Sequence, residues 1–226
     1  MAAHITQACA ILLASNSMEK TPPPLSPEDQ ALLDEYLATL TMSPNNTPRL
    51  FAIGFLGLPG SGKSTLADML GKDLDLPVNR SDQIRRFLNN KGFPGASPRQ
   101  DIMAALAEER TKFFYTNRTS VIIDANFTEY LAHSRANAAK HDAALLLVRV
   151  ICPDEIAIQR LRVRHQSGYT GDSAVAEEQY ESIKARVATF PPVSDPYAEV
   201  DTTAPLEPQV QSLHQRLLNE GYLAAV

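Results

Sequence analysis

The sequence predicts an α/β protein: a five-stranded parallel sheet covered by helices on both faces. Two observations predict it. From Leu50 onward, short continuous apolar runs alternate with longer stretches of helical periodicity, the pattern of strands buried on both sides by crossover helices. The first apolar run also leads directly into Gly57-Leu58-Pro59-Gly60-Ser61-Gly62-Lys63-Ser64, and a helical pattern leaves it. That octapeptide fits G-x-x-x-x-G-K-[ST] without a mismatch.

The elements follow in chain order. Residues 1–48 form an extension that holds six of the sixteen prolines (Pro22, Pro23, Pro24, Pro27, Pro44 and Pro48). A disordered start is expected, then one amphipathic helix over 27–41, then a Pro/Asn-rich linker from Ser43 to Pro48. Ser26-Pro27-Glu28-Asp29 reads as an N-cap, a proline at the first helical position and an acidic first turn. Leu32, Leu33, Tyr36, Leu37 and Leu40 make one apolar stripe. Such a stripe either packs on the domain or recruits a protein partner.

The domain proper is expected over 49–226. Its predicted strands are 50–56, 78–80, 120–124, 145–151 and 197–201. The helices are predicted over 63–74, 82–90, 98–116, 128–140, 153–165, 175–189 and 206–220. Leu50–Leu56, Val121-Ile122-Ile123 and Leu145-Leu146-Leu147-Val148 are the apolar runs that require burial. Ser81-Asp82 opens the second helix, Asn126 and Thr128 read as caps for the fourth, and Cys152-Pro153-Asp154-Glu155 starts the fifth. Right-handed crossovers would bring the loops that follow the strands to one edge, where ligands bind in such sheets.

The phosphate-loop residues have the chemistry of a nucleotide site. Glycines at 57, 60 and 62 let backbone N–H groups approach phosphate oxygens closely. The helix that follows adds the positive end of its dipole. Residues 57–65 (Gly57, Leu58, Pro59, Gly60, Ser61, Gly62, Lys63, Ser64 and Thr65) are therefore the expected nucleotide-binding set. Lys63 should reach the β- and γ-phosphates of ATP, and the Ser64 hydroxyl should ligate Mg²⁺. The class is then a three-layer P-loop NTPase fold, completed by a helical lid and the N-terminal helical extension.

Two carboxylates follow other strands. Asp82 stands after the short second strand with Arg85 one helical turn on. A carboxylate there suits a base that accepts a hydroxyl proton, and the arginine suits an anionic group nearby. A helix cap and a surface pair account for the same two residues equally well. Asp124 ends an apolar strand in the manner of a Walker B motif, placed either to hold the Mg²⁺ shell or to orient a substrate-binding arginine. Arg160, Arg162 and Arg164 then fall within five residues and precede Gly168 and Gly171. A basic helix end leading into a glycine-broken segment suits a lid that closes over phosphates. Val200-Asp201-Thr202-Thr203 is a further candidate, as lining for an adenine pocket.

With these motifs in order, the chain resembles the AAA-type "predicted kinase" family of P-loop kinases, related to the kinase domain of polynucleotide kinase and to zeta toxins. The resemblance spans about residues 50–222. It is carried by Gly57–Thr65, Ser81-Asp82-Gln83-Ile84-Arg85, Ile123-Asp124-Ala125-Asn126-Phe127, Arg160 with Arg164, and Phe190-Pro191-Pro192. It implies that Asp82 is the general base and that Arg85 binds the acceptor. Arg164, or Arg160, would clamp the transferring phosphoryl group, and Asp124 would position the lid arginine or the acceptor. Lys63, Asp82 and Arg164 are thus the expected catalytic residues; Arg85, Asp124 and Arg160 are the expected substrate-binding ones.

The expected activity is Mg-ATP-dependent phosphoryl transfer to a hydroxyl of a small molecule or nucleotide. The alternatives are a polynucleotide 5′-hydroxyl kinase and a non-kinase nucleotide switch. Composition bears on these. There are 21 basic and 26 acidic residues, a net charge of −5, which disfavours a nucleic-acid partner. Two cysteines cannot build a disulfide framework. The apolar runs are far short of the ~20 residues that cross a bilayer. No Lys or Arg precedes Lys20, so a cytoplasmic protein without a targeting signal is expected.

Overall fold

The computed structural model describes residues 25–40, 45, 47–92, 100–126, 131–167 and 177–224. Residues 93–99, the segment after Ser167 expected to form a lid, Phe127, Thr128 and the first 24 residues lie outside these. Five parallel strands form one sheet, β1 (Phe51–Leu56), β2 (Val78–Arg80), β3 (Val121–Asn126), β4 (Ala144–Ile151) and β5 (Ala198–Asp201), in the order β2-β3-β1-β4-β5. The helices are α1 (Pro27–Ala38), α2 (Lys63–Leu74), α3 (Ser81–Asn90), α4 (Gln100–Thr116), α5 (Leu131–Lys140), α6 (Asp154–Gln166), α7 (Tyr180–Val187) and α8 (Leu206–Asn219).

β1 is the central strand, and all six of its residues are buried. Its alternating side chains supply two apolar layers. Phe51, Ile53 and Phe55 pack with Leu66 and Leu70 of α2 and with Val210, Leu213 and Leu217 of α8. Ala52 and Leu56 face Phe114 and Tyr115 of α4 and Ala138 of α5. The chain builds β1, β2 and β3 on one side, then crosses to β4 and β5 on the other. The crevice at that switch lies beyond the carboxyl end of β1, where ligands bind in open α/β sheets.

Three expectations need correction. The third strand does not stop at Asp124 but runs to Asn126, and its register against β1 shifts so that Gly54 pairs with Ile123 while Phe55 pairs with Asn126. Asp124 and Ala125 are therefore the extra residues of a β-bulge, which turns the chain at this point. The helix expected over 175–189 is a 3₁₀ turn at Glu177–Gln179 followed by α7. The segment read as a linker is stitched to the domain. Asn45 Nδ2 donates to the Ser120 carbonyl at 2.7 Å, and Ser120 N–H donates to Asn45 Oδ1 at 2.8 Å. Thr47 Oγ1 meets Ser120 Oγ at 2.7 Å. Such side-chain bonds mimic a strand pairing that periodicity does not reveal.

Helix α1 begins as expected, with the Ser26 hydroxyl accepting from the Asp29 N–H and Pro27 at the first position. It ends at Ala38, and its stripe turns inward: Leu33 and Tyr36 are buried against α3 and α4.

Candidate nucleotide and acceptor site

The phosphate loop leaves β1 and wraps the start of α2. Gly60 and Gly62 adopt φ of +76° and +96°, in the left-handed region. Packing makes the same demand. A Cβ on Gly60 would lie 2.3 Å from the Ala157 carbonyl of α6, and one on Gly62 would lie 3.0 Å from Thr202 Cγ2. The loop is thus held between α6 and the loop after β5. Ser61 Oγ is buried without a hydrogen-bond partner, a polar atom turned inward beneath the cradle. Lys63 Nζ donates to the carbonyls of Gly57 at 3.0 Å and Leu58 at 2.8 Å. Burial lowers its pKa to about 8; the Asp124 carboxylate opposes that shift and Arg164 adds to it.

Asp124 sits at the bulge of β3, opposite Arg80 at the end of β2. The Ser64 hydroxyl donates a hydrogen bond to its carboxylate. Burial raises the pKa of Asp124, against the lowering effects of that bond and of Arg80 and Lys63, while Asp82 repels it. The structure therefore brings Lys63, Ser64, Asp82, Asp124 and Arg164 to one place at the carboxyl ends of β1, β2 and β3. Asp82 and Arg85 form an ion pair, Arg85 Nη1 to Asp82 Oδ1 at 2.9 Å, on the first turn of α3.

Arg160 stands apart from that group. Its Nη1 donates to Thr202 Oγ1 at 2.9 Å and its Nη2 to the Thr202 carbonyl at 2.7 Å. Thr202 Oγ1 in turn donates to the Ser61 carbonyl at 2.7 Å. The two arginines expected to share one role are divided: Arg164 lies at the phosphate end, and Arg160 clamps the β5–α8 loop to the phosphate loop. Thr202 and Arg80 are the residues that sequence reasoning undervalued. Thr202 carried a weak signal at the end of the last strand; Arg80 carried none.

Hydroxyl and carboxylate donors of the Ser64–Asp124 pair fit a hard divalent cation, which would draw its remaining oxygens from phosphate and water. Among the described residues, no cluster of three or more His, Cys, Asp or Glu side chains is built to hold a metal alone. No helix there is long and apolar enough to cross a membrane.

A nucleotide-binding loop at the switch point of a parallel sheet, with carboxylates at the ends of the neighbouring strands, defines a P-loop fold of the kinase type. Residues 53–190 match the model of an AAA domain family, and the chain belongs to that family. An adenylate kinase of Coxiella burnetii is 26% identical over 181 aligned residues, covering 64% of this chain and 78% of the relative. Solved structures share the fold at lower identity. A Mycobacterium tuberculosis APS kinase in complex with AMPPNP and APS superposes with a TM-score of 0.51 at 20% identity, over 75% of this chain and 98% of its own. A Sinorhizobium meliloti gluconokinase gives 0.51 at 18%, over 78% and 95%. The PezAT toxin–antitoxin structure of Streptococcus pneumoniae gives 0.55 at 13%, over 88% and 98%.

Proposed function

We propose that this protein transfers the γ-phosphate of ATP to a hydroxyl group of a small molecule or nucleotide. The observation that carries the reading is the convergence of Lys63, the Ser64–Asp124 hydrogen bond, Arg164 and Asp82 at the mouth of the phosphate loop. Ser64 and Asp124 would hold Mg²⁺, which when bound shields the phosphate charge. Lys63 exchanges its bonds to the loop carbonyls for phosphate oxygens, and Arg164 meets charge on the transferring group. The acceptor oxygen bonds to the γ-phosphorus as the bond to the bridging oxygen breaks; ADP leaves, and the hydroxyl proton passes to Asp82.

Arg85, paired with Asp82, would bind a polar or anionic group of the acceptor. Arg160, through Thr202, supports the nucleotide side. The adenylate kinase relative and the small-molecule kinases that share the fold support a small acceptor.

The test is incubation with Mg-ATP and a panel of nucleosides, nucleotides, sugars and 5′-hydroxyl oligonucleotides, with transfer followed by mass. Asp82→Asn should lower turnover by about 10²–10⁴-fold with ATP affinity kept. Undiminished transfer in that variant removes Asp82 as the base. Transfer to oligonucleotides alone would favour the polynucleotide reading, and transfer to water alone an NTPase or switch.

A further inference from the structure

Helix α3 carries Asp82 and Arg85, yet its apolar face belongs to neither face of the sheet. Ile84 and Leu88, 0% and 4% exposed, pack with Leu33 and Tyr36 of α1 and with Ile102 and Leu106 of α4 in a separate core. Phe87 meets the Tyr36 ring at 5.0 Å between centroids. Lys91, just beyond the helix, pairs with Glu35 of α1. The strand that delivers α3, β2, is three residues long and lies at the sheet edge. A stem that short fixes a helix weakly, so the position of α3 is set mainly by what covers it.

On its other side Tyr36 meets α4. Its hydroxyl accepts a hydrogen bond from Arg110 Nη1 of α4, and Arg110 is 5% exposed. The guanidinium lies 5.5 Å from the Tyr36 ring and 5.7 Å from the Phe114 ring, within the range of cation–π attraction. Phe114 is part of the apolar layer beneath the sheet. A packed path therefore runs from the first turn of α3 through Ile84 and Tyr36 to Arg110, Phe114 and the sheet. The link it contains, α1, lies outside the region 53–190 that defines the family.

We infer that Tyr36 is a positioning residue for the phosphoryl transfer: α1 acts as a strut that fixes α3, and with it Asp82 and Arg85, against the phosphate loop. This rests on the reading of Asp82 and Arg85 as the acceptor side. Removing the ring opens a cavity against Phe87 and Ile84 and leaves a buried guanidinium without its phenol oxygen. Removing the hydroxyl alone keeps the packing and loses the bond.

The experiment compares the full-length protein with Tyr36→Ala and Tyr36→Phe by amide hydrogen exchange and by ADP titration in a calorimeter. Exchange over residues 84–90 should quicken about tenfold or more in Tyr36→Ala and by less in Tyr36→Phe, with α2 and α8 unchanged. The Kd for ADP should stay within about twofold. With an acceptor found by the panel above, kcat/KM for that acceptor should fall while KM for ATP holds. Unchanged exchange in α3 overturns the inference, as does an equal rise across α2, α3 and α8. Were Tyr36→Ala not to fold, Tyr36→Phe alone would decide on the same exchange contrast. Absence of phosphoryl transfer by the wild-type protein would sink the kinase reading, while the exchange contrast would still decide whether α1 braces α3.

Discussion

Gly60 shows how closely the site is built. Its positive φ and the 2.3 Å approach of the Ala157 carbonyl to any added Cβ act on the same atom. Gly60→Ala should lower stability by about 1–3 kcal/mol through backbone strain, and pushing α6 away should weaken nucleotide binding as well. A thermal melt with and without ADP checks both: the melting point should drop, and the gain from ADP should shrink. The glycine itself was legible from its motif, because the loop is local in sequence. The reason for it, a carbonyl 97 residues later, was not. Arg160 is a similar case: its role depends on Thr202, 42 residues away, so spacing along one helix grouped it with Arg164 and packing separated them.

At the scale of elements, α6 and α7 join through one carboxylate. The Tyr180 hydroxyl donates a hydrogen bond to Asp154 Oδ1 at 2.7 Å, and Lys184 pairs with the other oxygen. Hydrogen bonds from Lys184 and Tyr180 hold the Asp154 carboxyl below its ordinary pKa. A carboxyl with a depressed folded pKa contributes stability that is present above its unfolded value of 3.8 and is lost as pH falls through the folded one. The docking of α7 should therefore hold at pH 5 and loosen below about pH 4. In Asp154→Asn it should already be loose at pH 7, and amide exchange over 180–187 at the two pH values measures this. The sequence signalled both helices through their periodicity, and α6 through its start as well. It gave no sign of the 3₁₀ turn between Glu177 and Gln179, nor of the bulge at Asp124. Each arises from where a neighbouring element sits, and neither alters the run of apolar residues.

For the molecule as a whole, the sheet and its helices were readable because β1, β3 and β4 carry apolar runs that only burial satisfies. The extension was readable as a helix but not in its attachment. The joining contacts are single polar residues, Asn45 to Ser120 and Tyr36 to Arg110, whose partners lie more than seventy positions away. Asn45 satisfies both backbone groups of Ser120, so Asn45→Ala should destabilise the full chain by about 1–3 kcal/mol. A urea titration should show a lower midpoint with the slope unchanged; a normal midpoint would mean that water replaces the amide without loss.

The two rims of the sheet have a consequence for concentrated solutions. β2 spans three residues and is followed at once by α3, and β5 spans four and carries Glu199 and Asp201. Open backbone there is brief and charged, so a second chain finds little on which to add a strand. The fold therefore guards its margins against fibrous association and keeps β1 and the buried centre of β4, Leu146 to Val148, in the interior.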